Sequence, residues 1–327
     1  MTTAPTAPLD HPVDSRHTGF ARRHLREISV AAAYAALLLI LLVRTRFFAT
    51  SEFANVAVAN ASVLVLAVGM TLVILCRQID ISIGSQLSIC CIVAGLMSRA
   101  GWPIPAVAAG TALVGLAMGA FNGLLVAYLN VPSIVATLAT LVVWREAKRW
   151  WNQGEMIRNL RPDFQWFGLG QSAGQWALVL VAAILFLAFA FALRYLAAGR
   201  KVYAVGSDQE AARLAGIRPR RVTFAVFALM GVLTAIGALL TAVRLPHIDP
   251  KTGEGLELQV IAAVVVGGVA VSGGRGTLTG SLIGVALLGT LRPALPFLGT
   301  EAYWDKAVQG AIILLAVASD AFYRRAE

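Results

Sequence analysis

Ten apolar runs constrain this chain more than any other feature. They lie at residues 28–43, 54–76, 83–98, 104–128, 132–144, 175–196, 222–243, 257–272, 277–297 and 304–322. Backbone groups placed in hydrocarbon must be satisfied internally, so runs of this length insert as helices. The expected fold class is therefore an all-α polytopic membrane protein with about ten segments. Several runs are shorter than the roughly 20 residues a straight span needs. Those at 83–98, 132–144 and 257–272 are read as broken or re-entrant helices, which are tolerated where protein surrounds them. The composition agrees, with 58% hydrophobic and 13% charged residues, against about a quarter charged in soluble domains. The net charge of +10 would suggest nucleic acid for a soluble protein. Here the excess of basic residues in cytoplasmic loops explains it, and no nucleic-acid partner is expected.

Charge also orients the chain. Residues 1–27 read as a disordered cytoplasmic tail ending in Arg22, Arg23 and Arg26, with the membrane domain over 28–327. An even number of crossings places both termini on one side, and Arg22, Arg23, Arg324 and Arg325 favour the cytoplasm. The same parity puts the polar loop 199–221, with its six Lys/Arg, in the cytoplasm. Residues 145–174 fall outside despite Arg145, Lys148, Arg149, Arg158 and Arg161. Glu146, Glu155 and Asp163 offset them in part, and Trp144, Trp150, Trp151, Trp166 and Trp176 fit an interfacial belt.

Loop 199–221 is the longest polar interruption of the C-terminal half. Within it, DQEAARLAGI (208–217) reads as a short helix with Asp208 as N-cap, Glu210 in the first turn and Gly216 as the stop. Ala211, Ala212 and Leu214 give it a small apolar face. A helix this short is marginal alone, so it must dock, either against the bilayer or on a cytoplasmic partner.

Gly115, Gly119 and Gly123 precede Pro132, and Gly276, Gly280 and Gly284 precede Pro293, with the same 17-residue offset from first glycine to proline. Such spacing makes a smooth face for helix packing. The triplets sit an odd number of crossings apart, so a repeat would be inverted, as in many transporters.

The apolar runs carry no acidic, basic or histidine residue near the middle; Asp80, Arg99, Arg244, Glu257, Arg292, Lys306 and Asp320 read as lying at ends or in loops. That disfavours a proton-coupled carrier. None of the four lysines follows a glycine, so no Walker A loop is present and ATP hydrolysis has no home in this chain. No paired carboxylates or His/Glu cluster supports an enzyme or a metal site, and Cys76, Cys90 and Cys91 read as small core residues. In CRQIDISIGSQLS (76–88), Asp80 or Ser82 is either the N-cap of the next helix or, with Ser85, part of a gate. In SGGRGT (272–277), Arg275 reads as a topogenic charge or a gate residue, and Thr277 as a cap. Thr137 lines a polar path or bonds the preceding turn.

These stretches together resemble the inner-membrane permeases of ABC importers for monosaccharides, the ribose/xylose/arabinose type. The resemblance rests on 69–85, 119–145, 199–222, 255–284 and WDKAVQGAIILLAV (304–317). It implies a coupling helix formed by Glu210, Ala211, Arg213, Leu214, Ala215, Gly216 and Ile217, inserted into a cleft of a cytoplasmic ABC ATPase subunit. It also implies a second permease subunit (identical or not), a periplasmic sugar-binding protein, and no cofactor in this chain, since ATP sits on the partner. The family usually has Gly-Gly where this chain has Arg77-Gln78. Stretch 145–171 is most similar to rhamnose permeases, then to autoinducer-2 permeases.

Overall fold

The computed structural model describes residues 16–45, 47–49, 52–299, and single positions 304, 307, 310, 311 and 314. Apart from those single positions, the expected last segment 304–322 lies outside the described residues, as do Arg324 and Arg325. Among those described the chain is helical, with eleven α-helices and one isolated two-residue bridge, Ile157 with Ile248.

Helix α1 runs Arg16–Arg44, α2 Glu52–Leu75, α3 Ile83–Arg99, α4 Ile104–Ala127, α5 Ser133–Asn152 and α6 Gln171–Tyr195. Two short helices follow, α7 Ala197–Ser207 and α8 Gln209–Leu214. Then come α9 Pro219–Ala242, α10 Leu256–Val266 and α11 Leu278–Ala294. Among the described residues, four helices are long and apolar enough to cross a membrane: Ala54–Leu75, Ile104–Ala127, Gln171–Tyr195 and Pro219–Ala242. Shorter apolar helices at Ile28–Val43, Ile83–Arg99, Leu256–Val266 and Leu278–Ala294 pack with them. Helix α2 is its centre, with 83% of its apolar window buried, whereas α6 at 22% is peripheral.

Three expectations need correction. The tail expected to be disordered over 1–27 overlaps α1, which begins at Arg16. Its prolines end at Pro12, and the Ala, Arg, Leu and Glu beyond are good helix formers. The loop expected at 145–174 begins as helix, because α5 continues to Asn152. Gly276 is not on a helix face: it precedes α11, holds φ +136 and packs on Val269.

The other glycines of the two triplets do bring backbones together. A Cβ on Gly115 would lie 2.3 Å from the Gly231 oxygen, and one on Gly119 2.4 Å from the Phe227 oxygen, so α4 rides directly on α9. Gly123 faces Phe224 of the same helix. Gly280 and Gly284 do the same for α11 against α10, at the Gly267 and Ala263 carbonyls. Small residues are what permit such contact without a hydrophobic driving force in lipid.

Contacts sort the connections into two ends. At one, the α2 terminus, α7 and the 272–277 turn meet, with Gly274 N donating to Leu75 O at 2.9 Å. At the other, Arg161 N donates to Ser98 Oγ, Arg161 Nη1 to Gly101 O, and Trp166 N to Val243 O. The segment after α9 turns back inward along α3. Ile248 sits at Gly95, Pro250 O accepts from Ser88 Oγ at 2.7 Å, and Gly253 touches Gly84. This re-entrant turn explains why α10 has only 11 residues. The turn also carries Glu257, which stands in the first turn of α10 as its place at a segment end led one to expect, beneath the surface.

Candidate functional site

The polar loop is built from two helices where one was expected. Helix α7 buries Gly199, Val202, Val205 and Gly206. At Gly206 a side chain is impossible, because a Cβ would stand 1.6 Å from Leu75 O and 2.7 Å from Gly274 N. Tyr203 reinforces the seat by donating its hydroxyl to Gly276 O at 2.9 Å. The second helix, α8, is held out from this anchored base. Asp208 Oδ1 accepts from Glu210 N at 2.8 Å and Ala211 N at 3.0 Å, the expected cap. Gly216 holds φ +79, its N–H reaching Arg213 O while Ile217 N reaches Ala212 O, which closes the helix.

The expected apolar face of this helix does not dock on its own chain. Only Ala212 is buried, whereas Leu214 is 80% exposed. Glu210 pairs with Arg213 on the open face, and that hydrogen bond raises the Arg213 pKa above its ordinary value. Ala211, Ala215 and Ile217 complete a protrusion with an apolar tip and a charged flank. Sequence reading missed α7, although Gly199 and Gly206, seven residues apart, mark its buried side.

Of the residues expected to form a gate, the structure gathers Asp80 and Ser82 into one polar knot. Asp80 accepts from Ser82 N at 2.9 Å and Gln86 Nε2 at 3.1 Å. Asn122 of α4 donates to Ser82 Oγ at 2.8 Å. All four side chains are buried, and Gln86 Oε1 and Asn122 Oδ1 have no hydrogen-bond partner. Neither Asp80 nor Ser82 caps α3 by a side-chain bond to its first turn, contrary to that expectation. The knot ties the α2–α3 turn to α4 instead. Gln86 and Asn122 went unnoticed in the sequence, though an amide inside an apolar run was the available signal.

Ser85 donates to Leu141 O at 2.9 Å and joins α3 to α5, whereas Thr137 donates to Ser133 O of its own helix at 2.8 Å and to Ile79 O of the α2–α3 turn at 3.3 Å. Thr277 is the N-cap of α11, accepting from Gly280 N at 3.1 Å. Arg275 is exposed on the 272–277 turn, beside α7.

Arg77 takes the left-handed conformation at φ +62, which costs a residue with a side chain about 1–2 kcal/mol. Its stem lies against Gly273. Replacing Arg77 with glycine is expected to gain about 0.5–1 kcal/mol, the strain less the added chain entropy. The check is the thermal-unfolding midpoint in detergent, and a lower midpoint would mean that the Gly273 contact outweighs the strain.

No group of three or more His, Cys, Asp or Glu with the geometry to hold a metal occurs among the described residues. Residues 52–317 match the family model described as branched-chain amino acid transport system / permease component. The chain is 33% identical over 300 residues to the autoinducer 2 import system permease protein LsrC of Escherichia coli (strain K12 / DH10B), covering 90% of this chain and 86% of that protein. It is 36% identical over 294 residues to the ribose import permease protein RbsC of Escherichia coli (strain K12), covering 88% and 91%. No solved structure matches.

Proposed function

This chain belongs to the branched-chain amino acid transport system / permease component family, in its sugar ABC permease branch, and we propose that it forms the translocation path of an importer for L-rhamnose. As a permease component it is not an enzyme and holds no cofactor. The single observation that carries the coupling part of the proposal is the protrusion of α8. A capped helix with an 80% exposed leucine stands on a base wedged against the end of α2 and the 272–277 turn. Such a helix needs a cleft to enter, and an ABC ATPase subunit provides one.

In this reading both termini and the 199–221 segment face the cytoplasm, and ten segments cross the inner membrane, arranged as an inverted repeat. Glu210, Ala211, Arg213, Leu214, Ala215, Gly216 and Ile217 engage the ATPase. A second permease subunit completes the path, and a periplasmic binding protein delivers the sugar. Asp80, Ser82, Ser85, Thr137, Arg275 and Thr277 gate or line the path. Closure of the ATPase pushes α8, and α7 passes the push to α2 and α11.

L-rhamnose rests on the resemblance of stretch 145–171. The relatives named for autoinducer 2 and ribose favour a second reading in which one of those is the cargo. Vesicles holding this chain, its ATPase subunit and the binding protein are expected to take up labelled L-rhamnose only with ATP. Preference for D-ribose or autoinducer 2 would reassign the cargo. Uptake by the chain alone, without an ATPase, would replace the importer with a secondary carrier.

A further inference from the structure

Four charged side chains meet where α5, α3 and the re-entrant turn converge. Arg145 Nη2 lies 3.4 Å from Glu257 Oε1, and Lys148 Nζ lies 3.5 Å from Glu254 Oε1. Lys148 also donates to Ser88 Oγ at 2.8 Å and to the Pro250 carbonyl. Glu257 is accommodated because Gly84 has no side chain; a Cβ there would stand 2.1 Å from Glu257 Oε2.

Their depth follows from helix geometry. Gly84 lies 14 residues along α3 from Ser98, the residue that bonds Arg161 at the outer end. At 1.5 Å per residue this is about 21 Å below that end. Arg145 lies 12 residues along α5 from Ser133, which bonds Ile79 at the opposite end, or about 18 Å. Both paths place the cluster inside a hydrocarbon core of about 30 Å.

Exposure decides what faces it. Lys148 is 1% exposed, yet the side chains of Arg145 and Glu254 retain 27% and 31%. A charge that is open at this depth cannot face lipid cheaply, and such residues border water-filled cavities or a protein partner. Arg145 Nε and Glu257 Oε2 have no hydrogen-bond partner. The pairs are thus incompletely satisfied, unlike a sealed structural salt bridge.

We propose that Arg145 and Glu254 line the aqueous path at mid-depth and bond the hydroxyls of the passing sugar, with the buried Glu257 positioning Arg145 and the buried Lys148 positioning Glu254. The inference rests on the permease reading and deepens it by naming where the cargo touches this chain. A neutral polyol suits such a site. Its hydroxyls donate to carboxylate and accept from guanidinium in the same encounter, without a net charge to trap it. Neutral pairs of opposite charge also avoid a standing field along the path.

The test uses the assembled transporter in vesicles. Cys76, Cys90 and Cys91 are buried, so a new cysteine can be labelled against a quiet background. Glu254→Cys is expected to react with a charged, membrane-impermeant thiol reagent at least tenfold faster than Leu187→Cys, on the lipid-facing side of α6. Saturating sugar, the one taken up best among L-rhamnose, D-ribose and autoinducer 2, is expected to slow that reaction. Arg145→Gln should raise the half-saturation concentration for uptake about tenfold, with the amount of assembled complex unchanged. Equal labelling of the two cysteines, or unchanged half-saturation in Arg145→Gln, would overturn the lining. If labelling follows the pattern while none of the three sugars is transported, the path stands and the cargo assignment fails.

Discussion

Gly231→Val is expected to separate α4 from α9 and to cost about 3 kcal/mol, the upper part of the usual range for overpacking. A Cβ on Gly231 would lie 2.0 Å from the Gly115 oxygen and 2.9 Å from the Gly119 Cα. The reciprocal clash at Gly115 lies 2.3 Å from the Gly231 oxygen. Backbone faces backbone here, so no rotamer change relieves the overlap, and the helices must move apart along their length. Gly110→Ala is the control. Its Cβ meets only the end of Met97, at 2.7 Å from the sulfur, and a thioether yields readily. The measurement is the monodisperse fraction in detergent together with the unfolding midpoint. Valine at 231 should lose most of the folded protein while alanine at 110 loses little. Equal behaviour of the two would mean that the α4–α9 contact does not hold the bundle.

The glycine triplet at 115, 119 and 123 announced this contact in the sequence because its cause is local: removing side chains at four-residue intervals leaves one bare helix face. The same rule failed at Gly276, where glycine serves a turn with φ +136 and not a helix face. Both uses of glycine look identical in a one-dimensional pattern. Asp208 and Gly216 were legible for a similar reason, since a cap and a left-handed stop act within one turn. Helix α7 was not, because its register is set by Leu75 and Gly274, far away in the chain. The charge cluster escaped for a related reason. Arg145 and Lys148 lay beyond the apolar run 132–144, and Glu257 stood at the edge of the run 257–272. Their depth depends on a helix continuing past its apolar stretch and on a turn folding back along α3. Neither is encoded in hydropathy. The polar knot at Asp80 lies between these cases, with its first members visible in 80–82 and its partners Gln86 and Asn122 supplied by packing.

Gly216→Val is expected to separate ATP hydrolysis from uptake without disturbing the membrane body. Nothing lies within 4 Å of a Cβ at this position, so the added side chain meets no neighbour. The penalty is conformational, because a β-branched residue at φ +79 is disfavoured by about 1–2 kcal/mol or more. That strain acts on the bonds that close α8, Gly216 N to Arg213 O and Ile217 N to Ala212 O, both 3.0 Å. A loss of about 1.4 kcal/mol lowers the ratio of formed to unformed helix about tenfold, and uptake at fixed ATP should fall with the formed fraction. Glu210→Lys tests the same element independently. It leaves the backbone alone, breaks the pair with Arg213 and sets two cations side by side on the flank offered to the partner. In both variants, yield and unfolding midpoint of the isolated subunit should match those of the parent, because α8 buries only Ala212. In the assembled transporter, hydrolysis should persist while uptake per ATP drops. Parental uptake in both, with the ATPase still bound, would remove α8 from the path of force and leave its exposed leucine unexplained.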